Sequence, residues 1–79
     1  MSWTIHGETY VSLEDISEVC HVEITWVQQV YELGILGPGE HIESVTVVPA
    51  SFLDRAVRVR RITLQTGLDL DAAVVLFNV

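Results

Sequence analysis

The chain has no lysine, and its four arginines all fall between Arg55 and Arg61. Eleven carboxylates against those four cations leave a formal net charge of −7. That balance disfavours nucleic acid and anionic membrane as partners and favours steering toward basic surfaces. Cys20 is the one cysteine, so no intramolecular disulfide can form. No basic-then-apolar leader segment is present, and no apolar run approaches the roughly 18 residues of a spanning helix. These absences predict a cytoplasmic protein.

Scarce chemistry narrows the function further. His6, Cys20, His21 and His41 do not fall at the repeated short spacings that ligate zinc, so no metal is expected. Cys20 and His21 are consecutive, about 100° apart on a helix, and cannot act as nucleophile and base. Gly34, Gly37 and Gly39 are followed by no lysine and so form no phosphate loop. Neither a cofactor nor an enzymatic activity is expected. A length of 79 residues allows a single domain, 1–79, with one small core and no separate catalytic unit. Apolar content of 49% and a mean hydropathy of +0.40 place it among folded chains.

What is present reads as short helices. Ser12 and Asp15 have the spacing of a capping box and open a helix through about Cys20, with Leu13, Ile16, Val19 and Cys20 as its apolar positions. A second helix is predicted over Ile24 to Leu33, closed by Gly34. Its wheel gathers Trp26, Leu33, Val30, Val27, Tyr31 and Ile24 on one arc and leaves Thr25, Gln28, Gln29 and Glu32 outside. His21-Val22-Glu23 is about the length of a helix-turn-helix connection. Glu40 to Val48, turning at Glu43-Ser44, reads as a small β-hairpin wing. A third helix is predicted from Pro49-Ala50-Ser51, capped by Ser51 with Asp54, to about Gln65, with Phe52, Leu53, Ala56, Val57, Val59 and Leu64 inward. Arg60 falls inside that arc and must reach outward or pair with a carboxylate. Asp69 caps a last helix, Leu70 to Phe77, that is apolar nearly all round and needs cover. Trp3–His6 and Glu8–Val11 around Gly7 leave room for an N-terminal strand or hairpin. The expected class is therefore mainly α, a winged helix-turn-helix of four short helices with a small wing.

In such a scaffold the second helix usually reads DNA. From Thr9 to Val48, however, the chain carries Glu14, Asp15, Glu18, Glu23, Glu32, Glu40 and Glu43 and no permanent cation. Duplex binding draws much of its free energy from lysine and arginine displacing counterions, so this face is expected to meet protein instead.

Two groups resemble this chain. Gly34-Ile35-Leu36 and Asp54 to Arg61 are similar to the Gly-hydrophobic-hydrophobic step and third helix of MerR-type proteins. The DNA-contacting Arg-Tyr pair of that family falls on Gln28 and Gln29, so its DNA contacts do not carry over. Closer are the CbpM-type chaperone modulators, which Leu33 to Glu40, Arg55-Ala56-Val57-Arg58-Val59-Arg60 and Leu68-Asp69 with the helix after it resemble. This resemblance implies a protein that binds the J-domain of a DnaJ/CbpA-like co-chaperone and inhibits or regulates it. Trp26, Gln28, Gln29 and Glu32 are the expected contact residues, with Glu18 and Glu23 in an acidic rim. Trp26 either anchors the partner or packs against the first helix or the wing. The rival expectation is a MerR-like transcriptional regulator or excisionase-like protein contacting DNA through Arg55, Arg58 and Arg61. Self-association into a homodimer through the last helix is a third.

Overall fold

In the computed structural model, which describes residues 2–79, the chain opens with a hairpin of β1 (Ser2–Ile5) and β2 (Glu8–Ser12). His6 and Gly7 turn it with φ of 51° and 80°, left-handed values that suit a two-residue hairpin loop. Ser12 ends β2 and caps α1 (Leu13–Cys20), accepting the Asp15 N–H at 3.0 Å while the Asp15 carboxylate accepts the Ser12 N–H. The helix stops at left-handed His21, and Ser17 Oγ donates to the Val22 carbonyl at 2.6 Å to fix the connection. Then follow α2 (Ile24–Glu32), β3 (Glu40–Ile42) and β4 (Val45–Pro49). A 3-10 turn over Ala50–Phe52 leads into α3 (Leu53–Thr66), and α4 (Leu70–Phe77) closes the fold.

The mainly α class expected from the sequence is overturned by the sheet. All four strands belong to one antiparallel sheet in the order β1-β2-β4-β3. The link is β2 to β4, with Tyr10 opposite Pro49, Val11 opposite Val48 and Ser12 opposite Val47. What read as an optional N-terminal strand and a detached wing are two halves of a single layer, and the architecture is α+β. Pro49 ends the ladder because it has no N–H to donate. A second correction concerns α3. Its N-cap is Phe52 and no side chain caps it, because the 3-10 turn moves the helix start past Ser51.

One core joins the layers. Leu13 and Ile16 of α1, Val27 and Val30 of α2, Val48 of β4, Ala56 and Val59 of α3 and Ala73 and Val74 of α4 meet around Ile35 and Leu36. Several residues assigned inward by the helical wheel stay out. Val19 is 65% exposed, Leu64 is 69% exposed, and Val57 and Leu33 are also exposed. Helices α1 and α3 thus bury a narrower stripe than their apolar residues span, and the outer part of α4, Val75 and Leu76, is likewise uncovered. Among the described residues no helix is long and apolar enough to cross a membrane.

The β3–β4 turn holds local strain. Glu43 and Ser44 adopt φ of 50° and 68°, where a side chain crowds the backbone. Replacing them by Asn and Gly, the residues this turn favours, is expected to raise stability by about 1 kcal/mol. A urea midpoint unchanged or lowered in the double variant would contradict this.

Candidate protein-binding surface

α2 is amphipathic, and burying Val27 and Val30 turns Thr25, Gln28, Gln29 and Glu32 outward. Two clefts flank that outward face and share Gln29. One lies between the end of α2 and the start of α4, with Gln29, Glu32, Leu33, Asp69, Leu70 and Asp71 along it. The other lies by the α1–α2 connection, with His21, Glu23, Trp26, Gln29 and Arg60 among its walls. Together they make a band along α2 that carries four carboxylates, Glu23, Glu32, Asp69 and Asp71, and one cation, Arg60. Exposed apolar Leu33 and half-buried Leu70 and Trp26 interrupt the charge. An acidic rim with apolar insets is complementary in charge to a basic amphipathic segment.

The band is held in place by local chemistry. Asp69 accepts the Ala72 N–H at 3.0 Å as the N-cap of α4, which holds its carboxylate on the first turn of that helix, at the cleft it lines. Removing this cap in Asp69→Ala is expected to cost about 1 kcal/mol, read as a lower thermal midpoint. No change in that midpoint would show that the cap carries no stability.

Trp26 is half-buried, and the Arg60 guanidinium lies over its ring, 5.9 Å from the centroid. Arg60 therefore meets its awkward place in the α3 stripe by resting on an aromatic face rather than on a carboxylate. Its other flank meets a small apolar hollow of Val19, Cys20 and Val57. Burial pushes the Cys20 thiol above its ordinary pKa, with the Arg60 charge opposing in part. Alkylation of Cys20 by iodoacetamide near neutral pH should thus be slower in the folded protein than in denaturant, since the thiolate is the reacting form. Equal rates in both states would rule out this protection.

The other expected residues scatter. Gln28 is exposed on α2 but lines neither cleft, and Glu18 stands apart on α1. On α3, Arg55 lies over the Phe52 ring at 4.6 Å, Arg58 pairs with Asp54 at 3.1 Å, and Arg61 is exposed. Asp54 thus neutralises one of the three arginines of the DNA alternative. His6 is in the β1–β2 turn and His41 on β3, remote in the topology from Cys20 and His21 at the end of α1. Asp69, Leu70 and Asp71 line the first cleft and are not among the contact residues expected from the sequence. Their only sequence signal is a helix cap, and their approach to α2 is a tertiary fact. Comparison with protein-family models, with curated proteins and with solved structures found no match to this chain.

Proposed function

We propose that this protein is a regulator that works by binding another protein, a chaperone modulator that docks on the J-domain of a DnaJ/CbpA-like co-chaperone and restrains it in the cytoplasm. The observation that carries the reading is the carboxylate band along α2, with Glu23, Glu32, Asp69 and Asp71 around half-buried Trp26 and Leu70. A basic helix laid along this band would gain association rate from charge and affinity from the apolar insets. The resemblance of Leu33 to Glu40 and of Arg55 to Arg60 to the chaperone modulators supports the same partner. Phosphate meets an unfavourable surface on α2, and the arginines of α3 give a thin footprint.

The test is calorimetric titration of the full chain with the J-domain of a DnaJ-type co-chaperone and, separately, with mixed-sequence duplex DNA at about 100 mM salt. Saturable J-domain binding with no DNA binding is expected. Salt-sensitive DNA binding lost in Arg55→Ala or Arg61→Ala, with none to the J-domain, would replace this reading with the nucleic-acid one.

A further inference from the structure

Arg60 is the one cation in the acidic band, and among the described residues the only ion pair is Arg58 with Asp54 on the exposed side of α3. Arg60 is half-buried, its guanidinium carbon lies 5.9 Å from the centroid of the Trp26 ring, and the residue also borders the apolar hollow of Val19, Cys20 and Val57. A guanidinium presents five donors in a planar fork that fits a carboxylate, and here Arg60 lies over the Trp26 ring and lines the cleft beside it. Accessible Glu23 in the same cleft is not within ion-pair distance among the described contacts.

We propose that Arg60 is a carboxylate-binding subsite: the partner segment carries an aspartate or glutamate among its basic residues, and that side chain seats on the Arg60 guanidinium beside Trp26. This rests on the α2 band being the partner-binding surface, and it adds a rule of selection. A uniformly basic segment would fit Glu23, Glu32, Asp69 and Asp71 but would place a cation against Arg60, which is repulsive and partly desolvated. A segment with one acid at that register satisfies every charge in the band. Discrimination thus comes from a penalty on the wrong partner as much as from a contact with the right one. The Val19–Val57 hollow strengthens the pair, because an aliphatic neighbour of the acid can cover it and exclude water.

Two arms test the proposal. In the first, the isotopically labelled full chain is titrated by NMR with the blocked tripeptides Lys-Asp-Lys and Lys-Asn-Lys. The aspartate peptide is expected to shift the Arg60 Nε–H and Trp26 indole signals and to bind about fivefold more tightly. Equal affinities, or shifts that spare Arg60, overturn the subsite whatever the natural partner is. In the second, J-domain affinity is compared for the wild type, Arg60→Met, which keeps the apolar stem, and Arg60→Lys, which keeps the charge. A loss of about tenfold for Met and a smaller loss for Lys is expected, with neutralisation of a single J-domain carboxylate giving no further loss in the Met variant. Unchanged or tighter binding by Arg60→Met, as a purely attractive acid–base match requires, overturns it. If the peptides discriminate while the wild type fails to bind the J-domain, the partner assignment falls and the subsite stands.

Discussion

Leu36→Ala is expected to lower the free energy of unfolding by about 3 kcal/mol, within the range of buried leucine truncations that leave a cavity. Leu36 is completely buried, at the point where the turn after α2 enters the core among Val30, Val48 and Val59. Relaxation around the cavity is restricted on the chain's own side. The next residue, Gly37, is left-handed at φ 74°, and a side chain there would run into the Phe52 ring, with Cβ 2.7 Å from one ring carbon. The backbone after Leu36 is thus held against an aromatic ring, a clamp that limits how the turn can rearrange around the hole. For a chain of 79 residues, whose total stability is on the order of 5 kcal/mol, the loss leaves a partly unfolded population at 37 °C. Urea unfolding followed by tryptophan fluorescence measures it. A loss under about 1 kcal/mol would mean that Leu36 is not a central core residue.

The same clamp shows how unevenly the fold was written in the sequence. Gly34-Ile35-Leu36-Gly37 could be read as a helix stop followed by apolar residues, yet which ring closes on Gly37 depends on the 3-10 turn that positions Phe52. Helices α1 and α4 start where Ser12 and Asp69 cap them, because a cap is satisfied within three residues. The sheet was another matter. Each hairpin shows its turn locally, at His6-Gly7 and Glu43-Ser44, but the pairing of Val11 with Val48 reaches across the whole of α1, α2 and β3, and strand propensity carries no address. That non-local ladder is what converts an expected helical domain with a wing into an α+β one. The surface was legible in the same proportion. Gln29 and Glu32 followed from the helical period of α2, whereas Asp71 joins them only because α4 packs on α3 and brings its first turn to the end of α2.

Reversing two charges of that junction, Glu32→Lys with Asp71→Lys, is expected to weaken J-domain binding on the order of a hundredfold at low salt, mostly through a slower association rate. Both side chains are exposed and line the same cleft. Neither fills the core, and Asp71 is not the cap of α4, so the fold should be retained with only a few tenths of a kcal/mol lost from the helix dipole. The deficit should shrink as ionic strength rises toward about 0.5 M, where exposed charges are screened within a few ångströms. A matched control, Glu8→Lys with Glu43→Lys, changes the net charge equally but places both lysines away from α2, at the start of β2 and in the β3–β4 turn. It should reduce binding far less. Should the two pairs of reversals weaken binding alike, the attraction would come from the total charge of −7 and not from the α2 band, and the position of the site would have to be abandoned. A large deficit confined to Glu32 and Asp71 that does not respond to salt would instead make them direct, desolvated contacts. In that case affinity would reside in dissociation, because steering by exposed charge cannot survive screening while a buried contact can.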